Sequence, residues 1–238
     1  MNAPTGTEPP VVLLHGLATS SARTWGETGW IDLLTDAGRE VITVDLPGHG
    51  GRPPLPDDAD YDRVEEIISA ELPDGPVDAV GFSAGARILL SLAVDRPERF
   101  GRLVLAGIGA SVIRSDADDA FASALAGAAD PGAGAPTSDQ ADPTLHHFAE
   151  LARSSGTDLD AVVALMRRIR TPLDEDALAL VRADVLVVIG DRDFAGPGEP
   201  LVERIPGARL VTLPGVDHFA TPKSMGFLGA GLDHLGAG

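Results

Sequence analysis

The sequence contains no cysteine among its 238 residues, and basic residues are scarce. Without cysteine the chain can form no disulfide bond, no zinc–thiolate site and no cysteine-based catalytic centre. Its 18 Lys and Arg residues are outnumbered by 36 Asp and Glu residues, which gives a formal net charge of −18. A chain this acidic repels nucleic acid and anionic membrane surfaces, so we expect neither as a partner.

Long hydrophobic runs are also missing from the sequence. No apolar stretch approaches the ~18 residues that a membrane-spanning helix needs, so no membrane insertion is expected. Residues 1–10 contain no Lys or Arg and no apolar run, so they do not resemble a signal peptide and we expect a cytoplasmic protein. Hydrophobic residues at 44% and charged residues at 23% are typical of a globular protein. Residues 1–238 are predicted to form one domain, as a monomer or homodimer.

Short apolar runs rich in β-branched residues alternate with stretches of helical periodicity. Near-continuous apolar runs of this kind are typical of parallel strands that are covered on both faces. The pattern therefore predicts an α/β fold with a mostly parallel central sheet and helices on both faces. Six runs are predicted to be strands: Val11–Leu14, Val41–Val44, Val77–Val80, Arg102–Ala106, Val185–Ile189 and Arg209–Leu213. The intervening helices are predicted at Trp30–Ala37, Asp62–Glu71, Ala84–Asp95, Glu199–Ile205 and Met225–Leu235.

One long segment interrupts this alternation. Residues 111–182 show no strand pattern, and we interpret them as a small helical lid inserted after the fourth predicted strand. Thr144–Arg153 and Leu159–Arg170 have the periodicity of amphipathic helices, whereas Asp130–Pro143 is rich in Ala, Gly, Pro and Asp and predicts a loop.

The pentapeptide Gly81–Gly85 (GFSAG) follows a predicted strand and opens a predicted helix. This context is required for a nucleophile elbow, in which a sharp turn exposes a serine hydroxyl above the sheet edge. Ser83 is then the candidate nucleophile. The pattern also occurs by chance, and the competing interpretation is a glycine-rich turn without chemistry.

A serine hydroxyl needs a base, and the base needs an orienting acid. Among six histidines, only His218 directly follows the last predicted strand, at the same sheet edge as the elbow. We select Asp193 as the acid because it follows the strand before, with Asp191 as the main alternative and Asp217 as a weaker one. The resulting chain order of Ser, Asp and His is typical of one class of serine hydrolase.

The other histidines have less specific interpretations. His15 and His49 lie in tight glycine turns, where an imidazole usually braces loop backbone. His234 lies in the last helix and is expected to face solvent. His146 and His147 lie on a lid helix, where a surface role competes with substrate contact.

The negative oxygen of an acyl-transfer intermediate must be stabilised by main-chain N–H groups. One candidate is the amide of Ala84, directly after the nucleophile. The second should come from the loop after the first strand, where Leu17 is the best candidate.

Five motifs together resemble the α/β-hydrolase superfamily, in its small, lid-bearing form. They are His15-Gly16, the turn 45–50 (DLPGHG), Gly81–Gly85, Gly190–Asp193 and Asp217–Phe219, in the order the superfamily has them. Ala86 departs from the glycine that often follows the elbow, and Gly51 stands where relatives often have serine. Serine at the elbow argues against haloalkane dehalogenase and epoxide hydrolase activity, because relatives with those activities use aspartate there.

The resemblance implies hydrolysis of a carboxylic ester or a related acyl bond, such as a lactone or thioester, through an acyl-enzyme. We expect a small, mostly apolar substrate in a pocket formed by Phe82, Phe219, Trp25 and Met166, with no metal and no cofactor. Two alternatives stay open: a C–C bond hydrolase or perhydrolase with the same three residues, and a non-catalytic small-molecule-binding protein on the same fold.

Overall fold

The computed structural model describes residues 8–114 and 143–238. Its sheet has six strands, all parallel, in the order β2-β1-β3-β4-β5-β6. Each predicted strand is confirmed, three of them with a slightly greater length. The strands are β1 Val11–Leu14, β2 Val41–Val44, β3 Val77–Phe82, β4 Phe100–Ala106, β5 Asp184–Gly190 and β6 Arg209–Leu213.

The strand order reverses beside β1, because β2 lies on one side of it and β3 on the other. Val11 pairs in register with Val41 of β2 and with Asp78 of β3. Loops that leave the carboxyl ends of such neighbouring strands diverge and form a crevice, which is where α/β proteins bind ligands. Here those loops follow Leu14 and Phe82.

Helices cover both faces of the sheet, as predicted. In β1, Val12 and Leu14 face one core cluster, whereas Val11 and Leu13 face the other. This alternation follows from the two-residue period of a strand, and both faces are apolar because both are buried. The helices are α1 Trp30–Asp36, α2 Val64–Glu71, α3 Ala84–Asp95, α4 Pro143–Ser155, α5 Leu159–Ile169, α6 Glu175–Leu178, α7 Glu199–Val202 and α8 Met225–Leu235.

Several helix boundaries differ from the sequence prediction by one to three residues. The helix predicted from Asp62 begins at Val64, after a 3-10 turn over Asp58–Arg63. The helix predicted to reach Ile205 ends at Val202. Helix ends fray into tighter turns, so periodicity locates them only to within a few residues.

The segment between β4 and β5 is helical where the structure describes it. It contains a 3-10 turn at Ala110–Val112 and the helices α4, α5 and α6. Asp158 caps α5 by accepting the N–H of Ala161 at 3.0 Å, and its own N–H donates to the Gly48 carbonyl at 2.9 Å. The predicted loop Asp130–Pro143 lies outside the described residues except for Pro143, which begins α4.

No helix among the described residues is both long and apolar enough to cross a bilayer.

Candidate active site

Ser83 lies in a strained backbone conformation at the turn from β3 into α3. Its φ of 53° and ψ of −115° are unusual for a residue with a side chain, and its N–H donates to the Ala106 carbonyl at 2.8 Å. The flanking glycines permit this turn. A Cβ at Gly81 would lie 2.5 Å from the Cα of Ala86, and one at Gly85 would lie 2.1 Å from the Leu14 carbonyl oxygen. The turn therefore requires glycine at both positions, and it leaves the Ser83 side chain half-buried.

His218 lies in the loop after β6, and its Nε2 is 2.9 Å from the Ser83 hydroxyl oxygen. Its Nδ1 is 2.9 Å from both carboxylate oxygens of Asp193. Both side chains are almost fully buried. A carboxylate only accepts hydrogen bonds, so this geometry fits the tautomer with hydrogen on Nδ1. The Nε2 lone pair is then directed at the serine hydroxyl.

The neighbouring aspartates have other partners. The Asp191 carboxylate is exposed and accepts the N–H of Gly215 at 2.8 Å. The Asp217 carboxylate accepts the N–H of Ala220 at 2.9 Å. The structure thus brings Asp193 to His218, and uses the other two carboxylates to hold the turns around it.

The loop after β1 is braced by the turn 45–50. His15 Nε2 accepts the N–H of Leu46 at 3.1 Å, and His49 Nε2 accepts the N–H of Ala18 at 3.0 Å. These bonds confirm that both histidines brace loop backbone. Ala18 has a positive φ of 60°, so the bond to His49 holds a residue in a conformation that is costly for alanine.

Two titratable groups in this brace have shifted pKa values. Burial lowers the pKa of His49 to about 3, further depressed by the neighbouring His15, which leaves its ring neutral and able to accept. Burial alone would raise the pKa of Asp45, but the neighbouring His15 ring and the hydrogen bond from the Ser21 N–H outweigh it and bring the pKa to about 2. Asp45 accepts the Ser21 N–H at 2.7 Å, which secures the far end of the loop.

The N–H groups of Leu17 and Ala84 have no hydrogen-bond acceptor within residues 8–114 and 143–238. Both residues line the same cavity as Ser83 and His218. Two unused donors beside a nucleophile are suited to an oxygen that becomes negative.

Two cavities meet at Ser83 and His218. The larger has a volume of about 450 Å³ and the smaller about 130 Å³. Met166 lines the larger cavity, whereas Phe82 and Phe219 line the smaller one. The serine hydroxyl therefore has space on two sides, as a nucleophile needs when it attacks a bond between two substrate halves.

Residues 11–224 match the model of an alpha/beta hydrolase family. The chain belongs to this family. A pimeloyl-[acyl-carrier protein] methyl ester esterase of Neisseria meningitidis is 31% identical over 233 residues, which cover 87% of this chain and 70% of that protein. The enzyme of the same name from Aromatoleum aromaticum is 31% identical, with 88% and 91% covered. The crystal structure of an enol-lactonase from Burkholderia xenovorans LB400 superposes with a TM-score of 0.75 at 18% identity, covering 98% of this chain and 94% of the other, and it shows the shared fold.

Trp25 corrects one sequence prediction for this hydrolase. It lines neither cavity, and its side chain is fully buried. Its ring contacts Trp30 at 5.7 Å and Phe227 at 6.5 Å between centroids, within the core between the sheet and α8. The turn Ala22–Gly26 directs Trp25 into that core, and a single aromatic residue in a loop carries no periodicity from which its direction could be read.

His234 is a second correction. It does not face solvent: it is buried, with its Nε2 2.9 Å from the Asp184 carbonyl oxygen. Its helix α8 packs against the sheet, and its position near the chain end gave no sign of that contact.

Two aromatic contacts were not predicted. The Phe194 ring lies 4.2 Å from the His218 ring, and His147 lies 4.0 Å from Phe219 in the wall of the smaller cavity. Phe194 directly follows the candidate acid, so its closeness to the histidine loop could have been inferred once Asp193 was selected.

Within the part of the chain that the structure describes, no group of three or more His, Cys, Asp or Glu side chains is placed to hold an ion.

Proposed function

We propose that this α/β-hydrolase is a serine hydrolase that cleaves a carboxylic ester, or a related acyl bond such as a lactone or thioester, through an acyl-enzyme on Ser83. The observation that carries the proposal is the continuous hydrogen-bonded chain from Ser83 through His218 to Asp193. Serine is a weak nucleophile by itself, and such a chain supplies both the base and the group that orients it.

The proposed reaction begins when the Ser83 oxygen attacks the substrate carbonyl carbon and His218 Nε2 takes the hydroxyl proton. Asp193 stabilises the imidazolium that results, while the N–H groups of Leu17 and Ala84 bind the negative oxygen. Each such donor is typically worth ~3 kcal/mol of transition-state stabilisation. The intermediate then collapses: the bond to the leaving alcohol breaks, and His218 returns its proton to that alcohol.

The second half of the reaction regenerates the enzyme. His218 takes a proton from water, whose oxygen attacks the acyl carbon bound to Ser83. The bond to the Ser83 oxygen breaks, that oxygen recovers the proton, and a carboxylic acid leaves. The positions of the two cavities support this scheme, because one can hold the acyl group and the other the leaving alcohol. The names of the bacterial relatives, methyl ester esterases, also support an ester as the substrate.

The test uses short-chain p-nitrophenyl esters and a serine-directed fluorophosphonate probe. Ser83→Ala should lose ester turnover by at least 10³-fold and should not be labelled, whereas Ser224→Ala, at the start of α8 and in the lining of neither cavity, should behave as wild type. Equal turnover by wild type and Ser83→Ala would remove Ser83 from the mechanism. An unlabelled wild-type protein without turnover would favour a binding role.

A further inference from the structure

A buried arginine, Arg87, lies in the wall of the larger cavity. It is one helical turn after the nucleophile in α3, and its N–H donates to the Ser83 carbonyl at 2.9 Å. Only 4% of Arg87 is exposed. Burial of a cation is costly unless anions or several acceptors compensate it, so the partners of this side chain indicate what it binds.

The hydrogen-bonding partners of the Arg87 guanidinium are neutral. Nη1 donates to the Ser91 hydroxyl at 2.5 Å, and Nη2 donates to the Thr171 carbonyl at 2.6 Å. Its Nε is buried without an acceptor among the described residues. Arg87 therefore retains donor capacity and a positive charge that no carboxylate of the described residues neutralises through a direct hydrogen bond.

Glu65 acts on Arg87 through its charge, but among the described residues it does not balance the local charge. The buried Glu65 carboxylate forms an ion pair with Arg168 at 3.1 Å, and its charge also acts on Arg87. Burial lowers the pKa of Arg87 to about 10, an effect that Glu65 opposes and Arg168 reinforces. Arg87 is still cationic at neutral pH, and the three groups together have an excess of one positive charge.

Two further arginines, Arg114 and Arg170, line the same cavity. Their segments meet near Arg87: Thr171, which accepts the Arg87 hydrogen bond, follows Arg170, and the Leu173 N–H donates to the Val112 carbonyl at 2.9 Å. Among the described residues, no Asp or Glu lines this cavity. A cationic lining is unexpected by chance in a chain with a net charge of −18.

The rest of the wall is mostly apolar. It includes Leu17, Ile108, Val112, Phe148, Met166 and Ile169. A ligand that fits this lining combines a hydrocarbon segment with one anionic group.

We propose that the larger cavity binds an acyl group whose far end is a carboxylate held by Arg87, so that the substrate is a monoester of a dicarboxylic acid. This inference rests on the proposed serine hydrolase function and names its substrate class. A guanidinium presents parallel N–H donors that match a carboxylate, and the ligand supplies a negative charge that the described part of the cavity wall does not contain. It also replaces the expectation of a mainly apolar substrate.

The kinetic test compares monomethyl adipate with methyl hexanoate, which has the same chain length and no charge. Wild type should have the higher kcat/KM for the anionic ester. Arg87→Met should lower the ratio of the two kcat/KM values by 10- to 100-fold, mainly through KM of the anionic ester, and Arg87→Lys should restore part of it. The matched control is Arg63→Met, because Arg63 is exposed and its ion pair among the described residues is with Glu66; it should leave the ratio unchanged.

A binding test separates this inference from the proposed function. Adipate should bind Ser83→Ala protein in calorimetry, and the double variant with Arg87→Met should bind it at least 10-fold more weakly. If no ester is hydrolysed but adipate binds through Arg87, the hydrolase proposal fails and the carboxylate site stands. If wild type prefers methyl hexanoate and adipate does not bind, the carboxylate site is refuted even where ester turnover depends on Ser83. Wild-type selectivity decides the question if the Arg87 variants do not fold.

Discussion

Replacing Asp193 by asparagine tests the orientation of His218, the proposed catalytic base, without changing the size of the side chain. In wild type, both Asp193 oxygens are 2.9 Å from His218 Nδ1, and Oδ1 also accepts the Ala195 N–H at 2.8 Å. In Asp193→Asn, the amide oxygen can keep the bond to Ala195, which directs the NH₂ group toward the ring. Nδ1 must then accept, so the ring hydrogen moves to Nε2 and faces Ser83.

The expected cost follows from this change of tautomer. With a hydrogen on Nε2, His218 cannot take the serine proton, and kcat should fall by ~10⁴-fold, as in other enzymes of this mechanism. That loss corresponds to ~5 kcal/mol of activation free energy. The hydroxyl, the two main-chain donors and both cavities are unaffected, so KM should change little.

The matched control is Asp191→Asn, two residues earlier in the same turn. Asp191 is exposed, and the hydrogen bond that its carboxylate accepts within the described residues is from the Gly215 N–H, so kcat should stay within about threefold of wild type. Steady-state ester hydrolysis gives both values, and thermal unfolding verifies that each variant is folded. Wild-type turnover by Asp193→Asn, or an equal loss in both variants, would refute the assignment of Asp193 as the orienting acid.

Two further predictions concern stability, measured by urea unfolding. Gly85→Ala should destabilise the fold by more than ~3 kcal/mol, because its Cβ would lie 2.1 Å from the Leu14 carbonyl oxygen. In Gly229→Ala, in α8, the new Cβ would have no described atom of another segment within 4 Å, so the free energy of unfolding should rise by ~0.5–1 kcal/mol. A Gly85→Ala protein as stable as wild type would contradict the packing described for the elbow. The pKa of His49 is about 3 in the folded protein against an ordinary 6.5, so below pH 6.5 the unfolded chain binds a proton that the folded protein excludes. Stability should therefore decrease as pH falls from 6.5 toward 3, and between pH 7 and pH 4.5 wild type should lose ~2–3 kcal/mol more than His49→Gln. Equal losses in the two proteins would show that His49 is not the group responsible.

The central sheet and the elbow were predictable because their signals are local. The four inner strands, β1, β3, β4 and β5, are short apolar runs that are mostly buried on both faces, and an apolar run of this kind directly reflects such burial. The pentapeptide around Ser83 has glycine at the two positions where the sharp turn requires it, since a Cβ at Gly81 or Gly85 would overlap backbone atoms. His218 was predictable in turn, because the carboxyl ends of parallel strands lie at one edge of the sheet.

Tertiary structure alone decided among side chains with equivalent positions in the sequence. Asp191 and Asp193 occupy the same turn, and only the path of the chain after β6 brings His218 to one of them. Trp25 was predicted at the pocket and lies in the core, because a loop residue has no period that reveals its direction. The sequence also did not reveal that Arg87, in the apolar helix α3, lies in a cavity wall. Sequence periodicity reports which segments are buried, whereas hydrogen-bond partners and cavities depend on distant segments that meet only when the chain folds.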